Sequence, residues 1–335
     1  MHPFAYARPH DEAQAVALVA EPGSTIIAGG TELLNWLRLG ITRPDNIIDI
    51  GRLPDRANIG LEDGFLTLGA LATLNQIGEH PTVGEHARVL GQACLLAASA
   101  QVRNRATIGG NVLQRTRCAY FRAAEPLPWA CNKRAPGTGC PARHAMNDEH
   151  AIFGWTDDCV AVHPSDPLVA LAALDADVDL VSPEGARRLP VGKLHLAQQE
   201  AKAIGHDPAT QETVLRHDEM ITGYRVPLLP GARSAYLKVR ERQSYAYALA
   251  TAAAVVQMDG DTIQSIRVAL GSVAQRPWRL LRAETSLPGN RLSADTVREA
   301  VQWDLDEARP LSGNAYKVRL ARNTAVRAIM AAVES

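Results

Sequence analysis

The sequence predicts a mixed fold of class α+β divided into two units, and three observations carry that prediction. Apolar residues change period along the chain, from helical spacing to strict alternation and back. Two glycine pairs, Gly29-Gly30 and Gly109-Gly110, each punctuate the passage from apolar structure into the next element. The last part of the chain carries a hairpin signal and a closing helical stripe of its own.

Taken in order, Asp11 to Ala20 has helical spacing and is stopped by Pro22 and Gly23. Thr25 to Ala28 reads as a short β-branched strand. Gly29 and Gly30 follow at once, free to take positive φ or to admit another group against the backbone, and Thr31 stands where it can cap the helix TELLNWLRLG. Alternation predicts strands over Asn46 to Ile50 and around Phe65 to Leu68, whereas His86 to Ala100 has the apolar repeat of one buried helix. After the basic stretch Arg103-Asn104-Arg105 comes the second glycine turn, Thr107-Ile108-Gly109-Gly110-Asn111.

From Arg115 to His163 no period of two or 3.6 is sustained, Pro and Gly recur, and four of the five cysteines occur. Helical spacing resumes at Pro167 with LVALAALDA, and strands follow to about Val181 and near Leu189. The stretch from Thr222 to Pro230 reads as a boundary, which divides the chain into domains over residues 1–228 and 229–335. The second domain opens with a strand from Ser234 to Val239. Its long apolar stretches, Tyr245 to Met258 and Ser265 to Leu270, flank the turn Asp259-Gly260-Asp261 and predict a hairpin. In the last helix, Tyr316 to Val333, the residues Val318, Ala321, Ala325, Ile329 and Val333 fall on one stripe.

Composition limits the function. Lys and Arg total 35 against 36 Asp and Glu, leaving no basic field for a phosphate backbone, so nucleic acid is not the expected partner. No window approaches the roughly 18 to 20 apolar residues of a membrane span, and MHPFAYARPHDEAQ lacks the pattern of an export signal. Five cysteines are too sparse for a disulfide scaffold.

The segment Ala28-Gly29-Gly30-Thr31-Glu32 suits an anion, because glycines let the backbone approach a pyrophosphate and amide N–H groups supply donors. Its spacing is not GxGxxG, which disfavours a Rossmann dinucleotide fingerprint; read alone, it is as consistent with a plain tight turn. The second glycine turn adds a threonine hydroxyl and the Asn111 amide, a combination fitted to a polar cofactor chain.

Five motifs occur in one order: YARP near the start, AGGTELL at 28–34, LGALATL at 68–74, QVRNRATIGGNV at 101–112 and SDPLVALAALDA at 165–176. With YLKVRERQSYAYALATAAA at 236–254 and LGSVAQRPWR at 270–279, the chain resembles over nearly its whole length the FAD-binding subunits of the xanthine dehydrogenase and aldehyde oxidoreductase family, the molybdenum hydroxylases. The resemblance implies a flavin domain of the vanillyl-alcohol-oxidase (PCMH) type, two α/β lobes with FAD between them, followed by a small α+β C-terminal domain of the CO dehydrogenase flavoprotein type. By similarity, the backbone of Ile27, Ala28, Gly29, Gly30, Thr31, Glu32, Leu33 and Leu34 would wrap the pyrophosphate. Thr107, Gly110 and Asn111 would hold the phosphates and ribityl region, and Asp166 would bind a hydroxyl of the cofactor. Ile221 would pack near the isoalloxazine, and Lys238 would approach its pyrimidine edge, where a cation stabilises charge on the reduced ring. Read without the resemblance, Asp166 is a helix cap and Lys238 a solvated strand residue.

In that family the segment after the GGN turn reaches the Ser-Asp element within about ten residues, whereas here Asn111 and Asp166 are separated by an insertion of roughly 45 residues. Cys118, Cys131, Cys140 and Cys159 all lie in it, spaced C-x12-C-x8-C-x18-C. Four thiolates suit an iron–sulfur cubane or zinc, and an irregular segment can wrap such a centre because ligand bonds replace a hydrophobic core. Spacing alone does not choose between iron and zinc, and disulfides are the remaining alternative. RTRCAYF, ACNKRAPGTGC and the segment from Cys159 to Asp166 resemble the cluster insert of periplasmic aldehyde oxidoreductase flavin subunits, which implies a [4Fe–4S] cluster. Tyr120, Phe121, Pro126 and Trp129 would shield it. Cys94 reads as an ordinary buried thiol, and His144, His150 and His163 as structural or surface residues.

These sites carry electrons; no acid, base or nucleophile for a substrate stands out, and no catalytic residue is assigned. The resemblance implies an electron relay in which a molybdopterin-binding large subunit oxidises an aldehyde or heterocycle. A small [2Fe–2S] subunit would pass the electrons to this FAD, and FAD would pass them to an external acceptor. The rivals are a stand-alone FAD oxidase or reductase and a zinc-stabilised interaction module. The expected location is the periplasm, reached as part of a co-exported complex, with the cytoplasm as the alternative.

Overall fold

The computed structural model describes residues 2–334. Its first lobe is a parallel sheet of three short strands, β1 (Ala5–Ala7), β2 (Ser24–Ile27) and β3 (Asn46–Asp49), in the order β1-β3-β2. The helix Glu12–Ala20 starts where Asp11 accepts from the Gln14 amide at 2.8 Å, and buries Ala15, Val16 and Val19 with Ile48 and Ile50.

The second lobe is an antiparallel five-stranded sheet of β4 (Ile59–Glu62), β5 (Phe65–Gly69), β6 (Asp177–Ser182), β7 (Gly185–Pro190) and β8 (Met220–Pro227), in the order β4-β5-β8-β6-β7. The stretch expected as a boundary at Thr222 to Pro230 is thus, in its first half, the central strand of this sheet. Gly223 is there because a Cβ would stand 2.8 Å from the Leu68 carbonyl oxygen of the neighbouring strand. Tyr224 and Val226 still alternate into the core.

The single helix expected from His86 to Ala100 is interrupted. Ala87 is non-helical, Arg88–Leu96 forms the buried helix, and Ala98 takes φ +45° before Ser99 caps a short helix Ala100–Arg103. Leu90 and Ala93 pack in the main core with Leu168 and Leu171 of the helix Asp166–Ala173.

The C-terminal sheet is β12-β11-β10-β9, from β9 (Arg233–Val239), β10 (Ala250–Asp259), β11 (Thr262–Gly271) and β12 (Trp278–Arg279). The expected hairpin is present, with Asp259 opposite Thr262 and Gly260 at φ +57°. However, β10 starts only at Ala250, and Tyr245, at φ +52°, lies in the preceding loop. Both faces of β10 are covered, which explains its unbroken apolar run. Ala253 and Val255 join the main core, whereas Ala252, Ala254 and Val256 pack on Ala321, Ala325 and Ile329 of the helix Tyr316–Glu334.

Residues 115–163 form the excursion expected from composition, with one 3-10 turn at Pro141–Arg143 as their only helix or strand. The segment returns to its point of departure: Ser165 Oγ donates to Asn111 Oδ1 at 2.7 Å.

Candidate functional site

The two glycine motifs meet. A Cβ on Gly29 would stand 1.8 Å from the Arg105 carbonyl oxygen, so only glycine lets the first loop lie against the backbone that leads into Thr107. Gly30 takes φ +74°. A Cβ on Gly109 would lie 3.1 Å from the Ala70 carbonyl oxygen, a second close approach. The TIGGN segment is not a free turn: Thr107 caps the short helix Ile108–Val112, its Oγ1 accepting from the Gly110 amide at 3.3 Å.

Thr31 does not cap the next helix as expected. The helix Leu33–Leu39 follows Glu32, whose carboxylate accepts from Trp36 Nε1 at 2.9 Å, from Arg117 at 2.8 Å and from Arg122. Arg117 and Arg122 flank Cys118, so the insertion is anchored on the first glycine loop. These arginines went unassigned in the sequence, where the signal was the density of basic residues in RTRCAYFR.

Two chambers adjoin at this junction and share Thr31, Glu32 and Gly110. The first, of about 350 Å³, is apolar and is lined by Ile27, Ala28, Gly29, Gly30, Leu33, Thr107 and Ile221, with Leu71 and Met220. The second, of about 550 Å³, is more polar and is lined by Asn111, Asp166 and Lys238, with Gln114, Arg117 and Tyr247. The break at Ala97 and Ala98 gives this chamber part of its wall. Leu34 faces neither chamber and is 50% exposed. Ile221 and Lys238 are not brought together, since they line different chambers.

Asp166 is the first residue of the helix Asp166–Ala173, and its cap is Ser165. The buried Asp166 carboxylate accepts from Tyr236 Oη and from Lys238 Nζ, each at 2.7 Å, and Lys238 also donates to the Leu96 carbonyl at 3.2 Å. Lys238 is therefore no solvated strand residue: its side chain is 2% exposed.

Cys118, Cys131, Cys140 and Cys159 line one small cavity with Phe121, Lys133 and His150. None of the five cysteines is bridged. Among the described residues, no three His, Cys, Asp or Glu side chains converge as ligands of a single metal ion. All four cysteines line this one cavity, and a cubane cluster takes one thiolate per iron. Backbone amides face three of them: those of Phe121 and Tyr120 the Cys118 sulfur, those of Lys133 and Arg134 that of Cys131, and those of Val160 and Ala142 that of Cys140. Burial pushes Cys118 up to about 12 and Cys140 up to about 11, so thiolates here need a compensating cation. These features fit a polynuclear metal centre. Cys94 is buried in the main core, as expected.

A charged network missed in the sequence backs this cavity. Lys133 Nζ donates to Glu212 Oε1 at 2.5 Å and to the Ala209 carbonyl at 2.8 Å, and Arg115 Nε lies 3.2 Å from Glu212 Oε2. Burial alone would raise Glu212, but Lys133 and Arg115 outweigh it and hold the carboxylate at about 2. Of the histidines, His144 is exposed, His163 packs on His195 with ring centroids 4.4 Å apart, and His150 lies against Cys118.

A cofactor cradle between two α/β lobes, with a third sheet closing one side, defines a class of flavin-binding domain. Residues 2–229 match the FAD binding domain in molybdopterin dehydrogenase, and residues 235–332 match the CO dehydrogenase flavoprotein C-terminal domain. The chain belongs to that family, the FAD-binding subunits of molybdenum hydroxylases. It is 39% identical over 331 residues to the aldehyde oxidoreductase FAD-binding subunit PaoB of Escherichia coli, covering 97% of this chain and 96% of that one. It is 29% identical over 336 residues to the carbon monoxide dehydrogenase medium chain of Hydrogenophaga pseudoflava, covering 98% and 96%. A solved structure of carbon monoxide dehydrogenase from that organism superposes with a TM-score of 0.77 at 27% identity, over 100% of this chain and 99% of the other. Membership in a flavin-binding family overturns the alternative of a zinc module that binds no flavin.

Proposed function

We propose that this chain is the FAD-carrying electron-transfer subunit of a heterotrimeric molybdenum-dependent aldehyde oxidoreductase. The observation that carries the reading is the pair of chambers joined at the glycine cradle. The amides of the Gly29-Gly30 loop and of Gly110, at the shared wall, would hold the pyrophosphate. The two chambers would take the two ends of FAD, Ile221 lining the apolar one and Lys238 and Asp166 the polar one. FAD, when bound, exchanges electrons singly or in pairs; the chain's own residues hold it and set its electrostatics.

The partners are a molybdopterin-binding large subunit that oxidises the aldehyde and a [2Fe–2S] small subunit that delivers the electrons. An external acceptor removes them. The 39% identity to a protein named as an aldehyde oxidoreductase FAD-binding subunit supports this choice of substrate class. Cys118, Cys131, Cys140 and Cys159 hold a [4Fe–4S] cluster, supported by the shared cavity and the amides facing its sulfurs.

The test is the visible spectrum of anaerobically purified protein before and after dithionite, with iron and FAD counted per chain. About one FAD and four iron atoms are expected. Flavin without iron, after reconstitution, removes the cluster and leaves the flavoprotein; absence of both overturns the whole reading. A Cys131→Ser variant that loses its iron but turns over undiminished would make the cluster a brace rather than an obligatory relay.

A further inference from the structure

His150 is the one side chain other than a cysteine whose polar atom reaches a sulfur of the cavity at hydrogen-bond distance among the described residues: its Nε2 lies 3.2 Å from Cys118 Sγ. The residue is 8% exposed, and its Nδ1 is buried with no partner. A metal-bound thiolate accepts hydrogen bonds and has no proton to give, so in the loaded protein the ring proton belongs on Nε2, aimed at the sulfur.

The backbone of His150 is held from the C-terminal domain. The His150 carbonyl accepts from Asn314 Nδ2 and from Lys317 Nζ, each at 3.0 Å. Lys317 also grips the Glu149 carbonyl at 2.9 Å and the Ser272 carbonyl at 2.6 Å, so all three ammonium protons are used. Both Asn314 and Lys317 are fully buried. A lysine is costly to bury, and this one is spent on backbone carbonyls at and beside His150. The two domains are thereby locked at the residue that touches the ligand.

We propose that His150 is a positioning residue of the cluster that donates Nε2–H to the Cys118 thiolate and raises the cluster's reduction potential, its backbone anchored by Asn314 and Lys317 of the C-terminal domain. The inference rests on the [4Fe–4S] reading. Adding an electron to the cluster increases the negative charge on its sulfurs, and a donor aimed at one of them stabilises the reduced form more than the oxidised one. With the amides of Tyr120 and Phe121 on the same sulfur, Cys118 has three donors, against two amides on each of Cys131 and Cys140.

The experiment compares wild type with His150→Phe, which keeps a ring but has no donor, and His150→Gln, whose amide restores one. Iron and FAD per chain are counted, and the cluster potential is followed by EPR during a redox titration. Phe is expected to keep FAD and iron and to shift the potential to more negative values, with Gln recovering most of the shift. An unchanged potential in the iron-loaded Phe variant overturns the proposal. Loss of iron from both variants with FAD retained overturns it as well, because His150 would then be a ligand. Wild type with FAD but no iron overturns the cluster reading itself, an outcome distinct from the other two.

Discussion

Ser165 Oγ donates to Asn111 Oδ1 at 2.7 Å across a separation of 54 positions in the chain. The same oxygen accepts from the Leu168 amide and so caps the helix Asp166–Ala173. One hydroxyl therefore closes the neck of the insertion, starts the helix that carries Asp166, and orients an amide facing the polar chamber. Ser165→Ala is expected to lower stability by about 1–2 kcal/mol through the lost cap and to weaken FAD binding severalfold. Denaturant unfolding and FAD titration of the apoprotein check both; a fully stable variant with normal FAD affinity would dissolve the link.

Gly29→Ala is expected to be far more damaging to FAD binding than Gly64→Ala. A Cβ at Gly29 collides with the Arg105 carbonyl, whereas one at Gly64 meets nothing within 4 Å. Gly64 also has φ +81°, so its alanine variant carries the ordinary strain of that conformation, about 1 kcal/mol, without steric conflict. Purified Gly29→Ala should contain less than about a tenth of the wild-type FAD, a loss of about 1.4 kcal/mol or more in affinity. FAD content equal in the two variants would show that the meeting of the two glycine motifs is not what shapes the site.

The glycine motifs and the cysteine set were legible because each is local or compositional: a pair of residues without Cβ, or soft ligands gathered in an aperiodic segment. The charged contacts that assemble the site were not, because their partners are remote in sequence. Glu32 reaches Arg122 across 90 positions, Lys133 reaches Glu212 across 79, and Lys317 reaches the His150 carbonyl across 167. A charge in the sequence gives no sign of whether it is solvated or buried against a partner. The strand inside the stretch Thr222 to Pro230 was missed for a similar reason, since Gly223 answers to the Leu68 carbonyl on another strand. The break at Ala98 was hidden for a different reason: alanine favours helix, and here tertiary structure overrides that preference.

Lys238→Met is expected to cost about 3–5 kcal/mol, the penalty for leaving one member of a buried ion pair without its partner. The Asp166 carboxylate would keep only Tyr236, at 2.7 Å. Adding Asp166→Asn should recover part of the loss, since no uncompensated charge then remains. If Lys238 faces the flavin, the single variant also moves the flavin potential to more negative values. A double-mutant cycle by unfolding, with a flavin redox titration of each protein, separates these effects; equal losses in the single and double variants would show that the pair carries little coupling.

Glu212 makes stability depend on acid. Its folded carboxyl is held at about 2 by Lys133 and Arg115 against the opposing effect of burial, from an ordinary value of 4.5. Because the folded value is depressed, the contribution is fully present above the unfolded value and is lost as pH falls through the window from 4.5 towards 2. Across that window the unfolded chain binds a proton that the folded one does not, so the loss amounts to roughly 3 kcal/mol. Glu212→Gln removes this part of the pH dependence, and at neutral pH it leaves the buried Lys133 ammonium with only neutral acceptors, the Ala209 carbonyl and the new amide oxygen. The variant should therefore be less stable than wild type at pH 7 and approach it as the pH falls. Urea unfolding of the two iron-free proteins at several pH values measures the difference; parallel curves would mean that the pair does not titrate with folding.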